Sequence, residues 1–170
     1  MTQGRDRVDA MMDGWRERAP EFATPPLEIV KRVSRLAAFC AQATEAAIAD
    51  SGLTYAEFDV LATLYRAAPP HRLKPTRLAQ QIMLSSGGMS NIRQRLTEAG
   101  LITVEPDPAD RRSVWLQLTA AGVAKVRQLS AATTEAHATL FRDLAPDTSA
   151  ALIRVLREAL LAVGDVDQSF

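Results

Sequence analysis

The sequence predicts a mainly helical chain carrying one small β-hairpin, and three observations support that class. Apolar residues recur at spacings of three and four through most of the chain, the period of a helix buried along one face. Two short runs near 101–105 and 113–118 break that period, and the second alternates Val114, Leu116 and Leu118 with Ser113, Trp115 and Gln117. Most of the 8 glycines and 9 prolines fall between these segments, where turns belong. A length of 170 residues fits one domain with one sizeable core.

The elements follow in order. Val8, Met11, Met12 and Trp15 make 5–18 a short amphipathic helix, and Pro20, Pro25 and Pro26 end it. Thr24 as N-cap with Pro25 at N1 starts a long helix to about residue 50, with the stripe Val30, Val33, Ala37, Cys40, Thr44 and Ala47. Thr54 to Glu57 is a capping box for a helix with Phe58, Leu61, Leu64 and Tyr65 inward. Residues 67–74 read as a loop. A short helix over 75–82 turns Leu78, Ala79 and Ile82 inward, and 83–88 reads as a turn with Ser85 or Ser86 as cap. The next helix runs to Ala99 with Met89, Ile92, Leu96 and Ala99 on one face, and Gly100 stands at its C′ position. Two strands then flank a charged tip over 106–112. Thr119 caps a long helix to about 144, and Asp147 caps a last one to about 163. That order is a winged helix-turn-helix set in a helical frame.

Composition narrows the function. Lys+Arg and Asp+Glu number 20 each, so nucleic-acid affinity requires a local basic face rather than a global field. Between Arg72 and Arg112 seven cations face four acids, which leaves this segment at +3 and the remainder at −3. The 47% hydrophobic and 24% charged content is that of a globular chain. No run is apolar enough to span a bilayer, and the first 18 residues lack the apolar core of a secretory signal, so the expectation is a soluble cytoplasmic protein. A single cysteine and two histidines leave no structural metal or disulfide framework, and no cofactor is expected. No nucleophile elbow, P-loop, dinucleotide fingerprint or zinc-protease motif occurs, which points away from an enzyme.

A helix-turn-helix presents the outer face and N-terminal residues of its second helix to the major groove. Here that face carries Ser90, Asn91, Arg93, Gln94 and Thr97, groups able to read base edges. The glycine-rich start, Ser85, Ser86, Gly87 and Gly88, lets backbone N–H groups approach a phosphate. Thr76, Arg77 and Arg95 complete the expected DNA-contacting set on the two helices.

These segments resemble the MarR family of winged helix-turn-helix regulators over about 24–163. The resemblance runs through G-L-T-Y-A-E-F-D-V-L-A-T-L, then R-L-A-Q-Q-I-M-L-S-S-G-G-M-S-N, then D-R-R-S-V-W-L-Q-L-T. It implies one MarR-like domain over 1–170, with dimerisation helices at 1–50 and 120–170 around a DNA-binding lobe at 53–118. It further implies an obligate homodimer on a double-stranded, pseudo-palindromic operator, acting as a repressor. Arg112 takes the place of the wing arginine that enters the minor groove, Arg111 faces phosphate, and Asp110 orients an arginine by ion pairing. The stripe Leu152, Val155, Leu156, Ala159, Leu160 and Val163 of the last helix needs a partner on its own account.

The leading G-W-R-E-R-A-P-E helix, with F-D-V-L and L-S-S-G-G-M, is similar to the urate- and phenolic-responsive subgroup. That resemblance assigns Trp15 and Asp59 to a pocket for a small aromatic effector whose binding releases DNA. Ile92 and Val104 stand where that pattern carries arginines, so the resemblance favours a neutral phenolic over urate. Two alternatives remain open. Cys40 could sense oxidants, although its apolar stripe argues for an inert thiol, and the winged helix could serve protein contacts alone. His71 in a loop and His137 on the outer part of a long helix show no nucleophile beside them.

Overall fold

The computed structural model describes residues 4–82 and 86–166. Asp6 caps α1 (Arg7–Arg18), accepting from the N–H groups of Val8 and Asp9, while the Asp9 carboxylate closes the box on the Asp6 N–H. Val8 and Met12, one turn apart, are buried where α1 packs on α2 (Pro25–Ile48). Arg32 of α2 fastens the pair, reaching Asp6 at 2.9 Å, Asp9 at 2.6 Å and Glu28 at 2.5 Å.

The expected stripe of α2 is only partly covered. Thr44 and Ile48 are buried, Cys40 is half-buried, and Val30, Val33 and Phe39 stand exposed. The covered end lies against α6 (Ala120–Leu140), where His137 turns inward rather than outward. Thr44 donates its hydroxyl to the Cys40 carbonyl at 3.0 Å, so His137 Nε2 is the donor to Thr44 at 2.8 Å.

α3 (Tyr55–Arg66) is the spine of the core, with Phe58, Val60, Leu61 and Leu64 buried behind the expected Thr54–Glu57 capping box. The loop expected at 67–74 contains a strand, β1 (Arg72–Leu73). His71 takes φ +60° and stacks on Tyr65, which turns the chain so that Leu73 pairs with Leu116. Proline-rich flanks hid this strand, since two residues show no alternation.

α4 (Pro75–Gln81) and α5 (Ser86–Glu98) form the helix-turn-helix. α5 already includes Gly87 and Gly88, which the sequence placed in the turn. Met89, Ile92 and Leu96 enter the core as expected, whereas Ala99 lies beyond the helix and is exposed. Gly100 sits at φ +68°, a C′ conformation that costs glycine little. β2 (Ile102–Asp107) and β3 (Asp110–Leu118) are longer than expected, so the hairpin tip shrinks to Pro108 and Ala109. The sheet is antiparallel in the order β1-β3-β2.

The start of α6 is pressed against the end of the helix-turn-helix. Thr119 caps it and donates its hydroxyl to the Gly100 carbonyl at 2.8 Å. A Cβ at Gly122 would collide with the Leu101 carbonyl oxygen, which accounts for the glycine in L-T-A-A-G. α6 ends at Leu140, four residues before the expected boundary. α7 (Pro146–Ala162) is capped at Ala145 without a side-chain bond, so Asp147 lies inside the first turn rather than capping it. α7 buries none of its residues, and Ile153, Val155, Leu160 and Leu161 are at least half exposed. Among the described residues no helix is long and apolar enough to cross a membrane, and no cluster of metal-ligating side chains occurs.

Candidate nucleic-acid interface

Because Met89, Ile92 and Leu96 fix the inner side of α5, its outer side is fixed too. Ser90, Asn91, Arg93, Gln94, Thr97 and Glu98 line an open cleft of about 610 Å³ whose far wall is Val104 of β2. Some donors and acceptors along it are already set. Gln94 Nε2 donates to Glu98 Oε1 at 2.8 Å, and the Thr97 hydroxyl donates to the Arg93 carbonyl at 2.8 Å. Arg93 also borders a second depression with Thr76, Pro75 and Ala79 of α4. Thr76 and Arg77 are exposed on α4. The sequence thus brings Thr76, Ser90, Asn91 and Arg93 onto one side of the paired helices.

The Asn91-Ile92-Arg93 order takes on a physical meaning here. Ile92 goes into the core, and the arginine one position later reaches the cleft. A shift of one residue turns a side chain about 100° round the helix, so the inward position is apolar and the cation stands on the cleft side.

Arg95 is placed differently from the rest of the expected set. Its Nε lies 2.8 Å from Glu57 Oε1, and the Glu57 side chain is only 2% exposed. Arg95 therefore fastens α5 to the start of α3, with 58% of its own side chain still open to solvent.

On the hairpin, Arg112 is exposed and donates its backbone N–H to Asp110 Oδ1 at 3.0 Å. Asp110, expected to ion-pair an arginine, thus caps the strand start, and it forms no ion pair among the described side chains. The buried acid of the hairpin is Asp107, 7% exposed, with Oδ2 at 2.8 Å from Lys74 Nζ and Oδ1 accepting from the Ala109 N–H at 3.0 Å. Lys74 foremost, with the Ala109 N–H, holds its carboxyl below the ordinary carboxylate range. The Trp115 ring is flanked by the Arg72 guanidinium at 4.8 Å and by Lys74 Nζ at 5.3 Å. Ser85 and the side chains of Ser86, Gly87 and Arg111 lie outside the described residues.

Trp15 and Asp59 lie on different elements, α1 and α3. Trp15, 38% exposed, meets Phe22 edge-on with ring centroids 5.6 Å apart. With Glu21, Thr24 and Leu27 these two rings line an open, apolar groove of about 440 Å³, and Asp59 is absent from that lining among the described residues. Asp59 is half-buried on α3, and burial pushes its carboxyl above the ordinary range against the lowering effect of Arg66. Burial likewise raises the Tyr55 hydroxyl, with Asp59 adding to it.

Sequence reading missed Lys74, Asp107 and Trp115 as one unit, because no motif spacing links positions that only the β1–β3 pairing brings together. It read Glu57 as a cap alone. The capping box gave half of that role, and the ion pair across to Arg95 had no local signal.

These features agree with known proteins. A model described as the MarR family matches residues 51–113, from the start of α3 to the far side of the hairpin tip. The uncharacterized HTH-type transcriptional regulator YkoM of Bacillus subtilis (strain 168) is 31% identical over 119 residues, 68% of this chain and 75% of that protein.

The chain belongs to the MarR family.

It is a winged-helix transcriptional regulator, and the outer face of α5 with the hairpin is where such a fold meets DNA. The HTH-type transcriptional regulator PecS of Dickeya dadantii (strain 3937) is 29% identical over 122 residues, 72% of this chain and 74% of that protein. Among solved structures, a cysteine-to-serine mutant of MarR from E. coli complexed with operator DNA superposes with a TM-score of 0.71 at 22% identity. That match covers 86% of this chain and 97% of the other. Bordetella bronchiseptica BpsR, whose DNA binding is regulated by 6-hydroxynicotinic acid, matches with a TM-score of 0.68 at 25% identity over 86% and 97% of the two chains.

Proposed function

We propose that this MarR-family chain is a homodimeric repressor that binds a pseudo-palindromic operator and releases it on binding a small aromatic ligand. One observation carries the DNA reading. The single cleft wall that joins α5 to the hairpin gathers Ser90, Asn91, Arg93, Gln94 and Thr97, while the buried side of the same helix is wholly apolar. Amides and guanidinium groups so placed hydrogen-bond base edges, and exposed Thr76, Arg77 and Arg112 meet phosphate and minor groove. Ser85, Ser86, Gly87 and Arg111 join them on the strength of sequence position. Arg95 acts through Glu57 and contributes a phosphate contact at most.

The second copy of the chain covers the exposed apolar residues of α2 and α7, residues 1–50 and 120–170 forming the frame around the lobe at 53–118. Val30, Val33, Ile153, Val155 and Leu160 are too many large apolar side chains to leave in water. The aromatic effector rests on the Trp15–Phe22 groove and on BpsR, where an aromatic acid regulates DNA binding. No arginine or lysine lines that groove among the described residues, which fits a neutral aromatic better than an anionic one. Asp59 is not among the residues that line this groove, and its part in binding rests on the resemblance. The cytoplasm is the compartment in which such a regulator works.

Footprinting on the DNA upstream of its own gene, with and without a panel of aromatic compounds, tests the proposal. Two protected half-sites about one helical turn apart, roughly 10 bp, and loss of protection with an aromatic compound are expected. Protection without dyad symmetry overturns the dimeric reading. Protection unmoved by every compound overturns the effector reading.

A further inference from the structure

The Lys74, Asp107 and Trp115 cluster lies outside the cleft, on the face of the sheet opposite the core. Asp107 is the last residue of β2, at the register shift that closes the hairpin tip, and its pairing partner across the strands is Asp110. Both of its oxygens are committed: one to Lys74, at the N-cap position of α4, the other to the Ala109 N–H inside the tip. The Trp115 ring fills the space beside it and is itself flanked by Arg72 and Lys74. An acid nearly closed off from water, beside a hairpin that must meet polyanionic DNA, is costly unless its position is the gain.

We propose that Asp107 and Lys74 are positioning residues, a brace that fixes the angle of the hairpin tip to the helix-turn-helix and so aims Arg112 at DNA. This inference rests on the reading of Arg112 as the wing residue that touches DNA. The Lys74–Asp107 pair spans from α4 to β2, and Asp110, two residues before Arg112, is the cross-strand partner of Asp107. The brace therefore ends within reach of the contacting side chain.

The test exploits a sign. Removing an acid near DNA strengthens binding by charge alone, whereas removing a brace weakens it. Affinity of the full chain for its protected upstream DNA is measured by fluorescence anisotropy for native protein, Asp107→Asn, Arg112→Ala and the double variant, with thermal melting as the check on folding. Asp107→Asn keeps the oxygen that accepts from Ala109 and loses only the charge pair. The brace predicts binding weakened by about tenfold in Asp107→Asn, and a double variant that binds no more weakly than Arg112→Ala alone. Lys74→Gln, the second variant should Asp107→Asn fail to fold, is expected to show the same non-additivity with Arg112→Ala. Native or tighter binding by Asp107→Asn, beside a weakened Arg112→Ala, overturns the brace alone. So does a loss that adds in full to that of Arg112→Ala. Native binding by Arg112→Ala overturns the wing reading, and the brace with it.

Discussion

Glu57 Oε1 lies 2.8 Å from Arg95 Nε, while Glu57 Oε2 accepts the Thr54 N–H at 2.7 Å. One buried carboxylate thus starts α3 and holds α5 against it. The pair links the central helix of the core to the helix that faces the cleft, so its loss is felt at both ends. Arg95→Ala leaves one oxygen of a buried acid unpaired, and a destabilisation of about 1–3 kcal/mol is expected. Urea unfolding measures it. Arg93→Ala, whose side chain only borders the clefts, is expected to leave the midpoint unchanged while lowering operator affinity.

Asn91 and Arg93 are expected to read bases. Replacing either by alanine should cost about 1–3 kcal/mol on the operator and much less on random duplex, since a good base contact is worth that much. Equal losses on both DNAs mean that the residue only positions the backbone.

Gly122 has no room for a side chain. Gly122→Ala forces a methyl against the Leu101 carbonyl, and a loss of about 1–3 kcal/mol is expected from overpacking. The strain falls where β2 and α6 meet, so DNA affinity should drop with stability. A melting curve that matches the native one would show that the junction yields.

Asp59 makes stability depend on pH in a defined sense. Its folded carboxyl titrates above the unfolded one because burial disfavours the charge, so the native state binds the proton more tightly. The ionised form costs stability at neutral pH, and the cost is relieved as pH falls through the raised pKa. Asp59→Asn is therefore expected to melt higher than native at pH 7, with the gap closing on acidification. Asp107 works in the opposite sense, since its carboxyl is lowered and its contribution is lost only below the ordinary carboxylate range. If Asp59 also holds the effector, the stabilised Asp59→Asn variant should release DNA less readily when ligand is added.

Much of this was legible in the residues. Thr54 and Glu57 mark a helix start by chemistry that needs no tertiary context, and the alternation of Leu116 and Leu118 with Trp115 and Gln117 gives a strand its buried face. The Met89, Ile92 and Leu96 spacing fixes which side of α5 is outward, and thereby the cleft. What was hidden depends on pairing across the fold. β1 is two residues long and exists only because β3 offers it partners. Asp107 reads as one more charge of a polar tip until Lys74 and Trp115 close around it. The stripe on α2 is real as periodicity, yet Val30 and Val33 stay about half exposed in one protomer, because periodicity says which face is apolar and not what covers it.

The most direct test of the account is the salt dependence of operator affinity for native protein and Arg112→Ala, measured by anisotropy on the same duplex and on a scrambled one. The native protein is expected to prefer its operator, log K to fall linearly with log salt, and Arg112→Ala both to weaken binding and to lower the slope by about one. Native affinity that is equal on operator and scrambled DNA, with a slope unchanged in Arg112→Ala, would contradict it.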